Sequence, residues 1–209
     1  MQLMARYPDK YFDLAICDPP FGIKADVGIQ KNDGKHGYKK HKLTNWDSNI
    51  PNKEYFNELF RVSKNQIIWG GNYFTKHLPP KMCWIVWDKA QYNFSFSDGE
   101  MAWTSFDTKL KLFRYARGNE SGFAPKIKHG FKIGLNIHPT QKPIALYKFC
   151  LETYAKEGDK ILDTHLGSGS IAVACHDYGF NLTACELDTD YYNAAIKRLE
   201  QHKAQLTLF

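Results

Sequence analysis

A chain of 209 residues can bury one sizeable core and is too short to promise two, so a single domain over 1–209 with loop insertions is expected. Its 28 lysines and arginines against 22 acidic residues give a formal charge of +6, which permits a polyanionic partner without proving one. Five widely spaced cysteines with no CxxC pair argue against a metal site or a disulfide framework, and no leader or apolar run near the ~18 residues of a membrane span is present, so a cytoplasmic protein with reduced core thiols is expected.

In chain order, the apolar run at 12–17 reads as a buried strand and ends in Asp18-Pro19-Pro20-Phe21. Each proline fixes its own φ and restricts the residue before it, so Asp18 and Pro19 present a carboxylate and a carbonyl with little freedom. An aromatic amine is a poor nucleophile because its lone pair is delocalised into the ring. Two acceptors aimed at its hydrogens would favour the pyramidal nitrogen of a transition state, and Phe21 could stack on the ring. Read by itself, the tetrapeptide is equally a stiff strand-end turn. Residues 24–50 follow, with three glycines, six lysines and two histidines, a structureless length that tends to be functional or mobile. A helix at 52–62 carries Tyr55, Phe56, Leu59 and Phe60 at helical spacing. Strands are expected at 66–69, 83–87 and 109–115, then a second basic, glycine-containing segment at 114–137, and a helix over 143–156 that opens with Pro143 and stops before Gly158.

The stretch "ILDTHLGSGSIAVAC", 161–175, combines a strand at 160–163 ending in Asp163, a turn through Gly167 and Gly169, and a helix at 171–178. Glycines permit the tight turn and the close approach of a ligand, and the helix N-terminus offers free N–H groups. A strand at 181–185 then leads to Glu186, about 20 residues on, where an acid in such folds accepts from ribose hydroxyls. The third glycine of GxGxxG is missing and no GK[ST] follows, which disfavours dinucleotide dehydrogenases and P-loop enzymes. A final helix at 189–201 completes an α/β pattern with a mainly parallel sheet.

With "DPPF" preceding "LGSGS", "HPTQKP" (138–143) just before that loop, "WGGNYF" at 69–74 and "WDK" at 87–89, nearly the whole chain resembles the amino-group DNA methyltransferases that use S-adenosylmethionine, in the β motif order. The resemblance implies a Rossmann-like, three-layer α/β/α fold with circularly permuted motifs. It also implies a catalytic tetrapeptide Asp18, Pro19, Pro20 and Phe21 holding a flipped base, and a cofactor pocket shaped by Asp163, Gly167 and Gly169, with Glu186 on the ribose. Thr140 and Lys142 match a motif lining that pocket, Lys142 as partner of the cofactor carboxylate; Thr140 could equally cap the helix after Pro143. His165 stands where the family has a phenylalanine near the cofactor. The strand that usually precedes the segment matched by Tyr7-Pro8-Asp9 is not in this sequence, so the cofactor's adenine is expected to lack a wall.

The resemblance favours the N6 amine of adenine, because a leading aspartate in the tetrapeptide is commoner among the family's adenine enzymes, with the N4 amine of cytosine as the alternative. A catalytically silent DNA-binding subunit is the reading from another class. Lys31, Lys35, Lys39, Lys40 and Lys42 are placed to clamp phosphates of double-stranded DNA. Lys109, Lys111, Arg114, Arg117, Lys126, Lys128 and Lys132 lie where the family keeps its target-recognition segment, about 105–137, though either run could be an ordinary solvated face. The resemblance also allows a place in restriction-modification and a homodimer. The terminal Gln205, Leu206, Thr207, Leu208 and Phe209 resemble the peptide by which bacterial proteins dock on the sliding clamp, which would suit an extended tail; packing on the chain's own domain is the alternative.

Overall fold

The computed structural model describes residues 1–24, 47–91, 97–116 and 140–206. Seven strands form one sheet: β1 (Phe12–Cys17), β2 (Ser63–Trp69), β3 (Trp84–Asp88), β4 (Gly99–Thr104), β5 (Lys111–Arg114), β6 (Lys160–Asp163) and β7 (Asn181–Ala184). Their spatial order is β5-β3-β4-β2-β1-β6-β7. β4 pairs antiparallel with β2 and β3 while every other pairing is parallel, so β4 alone runs against the rest.

Helices cover both faces, which is why the central strands read as near-continuous apolar runs. Alternation along β1 and β2 divides the core: Leu14, Ile16, Ile67 and Trp69 pack on one side with Leu146, Tyr147, Ile171 and Ala174, while Ala15, Cys17 and Ile68 pack on the other with Tyr55, Phe56 and Leu59. The first side is covered by α2 (Ile144–Tyr154) and α3 (Ser170–Tyr178), the second by α1 (Lys53–Val62); α4 (Thr189–Leu206) packs beside α3. α1 begins where the Asn52 side chain accepts the Tyr55 N–H at 3.1 Å, a cap that satisfies one of its free donors. Each fully buried leucine or isoleucine contributes roughly 1.5–3 kcal/mol against exposure.

The crossover from β1 to β2 passes through α1 on one face, and that from β6 to β7 through α3 on the other. β1 and β6 are neighbours, so the point where the winding reverses lies between them, and ligand sites gather outside the strand ends there. β4, whose Gly-Glu start carries no strand pattern, is the one strand not expected from the sequence. α4 runs to Leu206, five residues beyond the expected end. Gln205 and Leu206 are therefore helical rather than part of an extended tail, and 207–209 lie outside the described residues. Among the described residues, no helix is long and apolar enough to cross a membrane.

Candidate active site

Asp18 to Phe21 leave the C-terminal end of β1, and their path is fixed from outside by Asp47. This nearly inaccessible carboxylate accepts the N–H groups of Phe21 and Gly22 at 2.7 and 2.9 Å, and its backbone carbonyl accepts from Lys24 N at 3.0 Å. Gly22 sits at φ +72°, which a side chain would strain. The Phe21 ring stacks on Tyr73 with centroids 5.0 Å apart and planes 13° off parallel, and meets Phe74 edge-on at 6.2 Å. At the end of β2, Gly70 lies so close that a Cβ would come within 2.1 Å of that ring. Asp47 and the ring supports Gly70 and Tyr73 escaped sequence reasoning: "WGGNYF" was a signal without a role, and a lone aspartate in a polar loop is none.

Behind the tetrapeptide lies a buried row of charges. Lys142 Nζ is 2.5 Å from Asp18 Oδ2 and 3.0 Å from Glu100 Oε2, and Lys89 Nζ is 2.7 Å from Glu100 Oε1. The Lys142 and Lys89 side chains are only 2% and 6% exposed. Burial opposes the charge on Lys142, but Asp18 and Glu100 outweigh it and hold the ammonium above its ordinary range. Burial likewise opposes the charge on Glu100, yet Lys142 and Lys89 bring its carboxyl down to about 2. For Asp18, burial pushes the carboxyl up, Lys142 pulls against it, and Glu100 and Asp47 add to the rise. Lys142, expected at a cofactor carboxylate, is thus engaged with Asp18 and Glu100. Glu100 Oε2 thus faces the Lys142 ammonium, while two buried polar atoms in this neighbourhood make no hydrogen bond among the described residues: Asp18 Oδ1 and Trp69 Nε1. The Trp69 ring lies 5.6 Å from Lys142 Nζ. Each such atom costs about 1–3 kcal/mol unless something pairs it.

The glycine loop lies at the same edge of the sheet. Asp163 ends β6 fully buried and accepts the His165 N–H at 2.9 Å. Burial, reinforced by the charges of Asp18 and Glu186 and opposed by that N–H, pushes it up to about 8. Gly167 and Gly169 take φ +51° and +73°, and a Cβ on Gly169 would meet Ala195 of α4 at 2.9 Å. Glu186 accepts three backbone N–H groups, from Gly167 at 2.8 Å, Leu187 at 2.8 Å and Asp188 at 3.0 Å. His165 Nδ1 lies 2.9 Å from Thr164 Oγ1, and its ring meets Tyr55 edge-on at 5.5 Å. Burial pushes it down to about 4, so it is a neutral space-filler at neutral pH. Arg198, unexpected from the sequence, donates to Ser168 O and Ser170 Oγ at 3.0 and 2.9 Å; Ser170 Oγ donates in turn to the Lys142 carbonyl at 2.7 Å.

Thr140 precedes Lys142 at the start of α2, whose N-cap, Pro143, makes no side-chain cap hydrogen bond. Arg114 ends β5, exposed and 3.5 Å from Asp88 Oδ2. Lys31, Lys35, Lys39, Lys40, Lys42, Arg117, Lys126, Lys128, Lys132 and His138 lie outside the described residues.

Residues 72–197 match the family model described as DNA methylase. Over 63 residues, 30% of this chain and 24% of the relative, the sequence is 40% identical to the type II methyltransferase M2.DpnII of Streptococcus pneumoniae; the match spans well under two thirds of that relative. Among solved structures, the M1.HpyAVI complex with SAM is similar at a TM-score of 0.53 and 19% identity, over 91% of this chain and 90% of that one. The PvuII DNA methyltransferase (cytosine-N4-specific) is similar at a TM-score of 0.58 and 11% identity, over 97% and 86%. Likeness at these identities is likeness of fold, and it makes the sheet and its helices Rossmann-like.

Proposed function

This chain belongs to the DNA methylase family, and we propose from that premise that it transfers a methyl group from S-adenosylmethionine to the exocyclic N6 amine of an adenine drawn out of double-stranded DNA. The observation that carries the reading is Asp18 Oδ1: a buried oxygen on a proline-stiffened turn, with an ammonium on its sister oxygen and, among the described residues, no partner of its own. An amine N–H is the partner it lacks. With the Pro19 carbonyl as second acceptor, the amine is drawn toward the pyramidal form whose lone pair can attack, and no reorganisation is needed at that moment. Phe21, backed by Tyr73, offers a flat face to a base that has left its stack, a step costing about a few kcal/mol.

The cofactor supplies a methyl carbon made electrophilic by its sulfonium. The amine nitrogen would take that methyl carbon as its bond to sulfur gives way, and Asp18 Oδ1 would receive the proton that the amine sheds and pass it to water. Asp163 fits such a cofactor, because it is a buried carboxyl in no ion pair among the described residues, and a bound ammonium would favour its ionised form. Glu186, fixed at the strand edge by three N–H groups, suits ribose hydroxyls. Gly167, Gly169, His165 and Thr140 would line the same pocket, with Lys142 assigned to Asp18 instead. The basic segments at about 24–50 and 105–137 would hold phosphates.

Incubating the protein with S-adenosylmethionine and unmethylated duplex DNA, then digesting to nucleosides for mass spectrometry, tests the proposal. N6-methyldeoxyadenosine is expected. N4-methyldeoxycytidine would move the reading to cytosine, and no methylated base would favour a silent DNA-binding subunit.

A further inference from the structure

We infer that Glu100, acting through Lys142 and anchored by Lys89, is a positioning residue that keeps Asp18 Oδ1 open for the substrate amine; the inference rests on the methyl-transfer reading above. An ammonium has three donors, and one beside a carboxylate would ordinarily be drawn toward both oxygens. Here it touches only Oδ2, because Glu100 pulls from the other side at 3.0 Å. The Lys142 backbone is not free to choose, since its carbonyl accepts from Ser170, which Arg198 holds in turn.

The reversed strand β4 makes the arrangement available. Its first residues lie at the edge where β3 ends, with Glu100 opposite Trp87 and Gly99 opposite Asp88, and Lys89 N donates to the Asp98 carbonyl at 2.9 Å to close that end. Lys89, Glu100, Lys142 and Asp18 therefore alternate in sign and sum to zero. Buried ion pairs contribute little to stability against apolar packing, so three of them in a row beside the reactive turn point to a task at that turn.

The two outer residues act on Asp18 with opposite sign. Without the Glu100 charge, Lys142 turns wholly to Asp18, weakening the acceptor and easing its ionisation. Without the Lys89 charge, Glu100 draws Lys142 away and ionisation becomes harder. Asp47, Asp163 and Tyr147 also face Asp18 and are unchanged in both variants. The test is steady-state methyl transfer by the full chain to unmethylated plasmid DNA at several pH values, with calorimetric binding of S-adenosylmethionine as a second readout. In Glu100→Gln, kcat should fall about tenfold to a hundredfold, as for a misplaced reacting group, with KM for DNA and cofactor affinity within about twofold. The acid limb of kcat should move down in pH for Glu100→Gln and up for Lys89→Met. Limbs that stay put or move together, or a loss confined to KM or cofactor binding, overturn the inference; if Glu100→Gln fails to fold, the upward limb of Lys89→Met decides. A wild type that transfers no methyl group overturns the methyl-transfer reading instead, and the inference with it.

Discussion

Asp163 shows what a single side chain at the end of β6 does to the energetics of the whole chain. Its carboxyl is pushed up to about 8 by burial, against an ordinary value of 3.8, so over that span the native state holds a proton that the unfolded chain has released. Stability therefore falls as pH rises between those values. His165, pushed by burial from 6.5 down to about 4, acts oppositely below its ordinary value: there the unfolded chain binds the extra proton, and stability rises with pH. Asp13 and Asp177, both lowered from 3.8, stabilise above that value and lose their effect as pH falls through it. Above the ordinary value of His165 the decline belongs to Asp163 together with Asp18, whose carboxyl is also pushed up, so the window that reports on Asp163 is about pH 6.5–8. Across it the melting temperature of the wild type should decline, and Asp163→Asn should make the decline shallower; an unchanged slope in the variant would show that the Asp163 carboxyl is not raised in the native state.

At the scale of elements, the end of β2 fits against the turn after β1. Gly70 has φ +70°, and any Cβ there would strike Phe21. Gly70→Ala should cost about 1–2 kcal/mol from the left-handed backbone alone, or at least about 2–4 °C of melting temperature in a chain of this size. It should also lower methyl transfer beyond what unfolding explains, because Phe21 is displaced from Tyr73. A variant with wild-type melting and transfer would mean that the ring is not held as described. β1, β6 and the glycine loop were legible in the sequence because doubly covered strands are short apolar runs and a strand-glycine-helix turn has its own spelling. β4 was not, since it opens with Gly99-Glu100 and spends a polar residue on an ion pair inside the fold. Without β4 in view Glu100 has no visible tie to Lys142, so the contacts of Lys142 with Glu100 and Asp18 are legible only in the structure.

At the scale of the molecule, six aligned strands and one reversed strand deliver their chemistry to one edge. Asp18, Gly70, Lys89, Asp163 and Glu186 follow the C-terminal ends of β1, β2, β3, β6 and β7 or close them, and Glu100 stands near the start of β4. The family resemblance located the acid turn and the glycine loop from sequence, while the charge row between them needed the topology. In the proposed reaction Asp18 makes an amine of DNA reactive. That role is tested most directly by methylation-sensitive sequencing of DNA from cells expressing either the wild type or Asp18→Ala. Adenine methylation at a defined short site is predicted with the wild type, falling on the order of a hundredfold or more in the variant, as when a preorganised polar group is removed. Methylation persisting at the same sites and level in Asp18→Ala would contradict it.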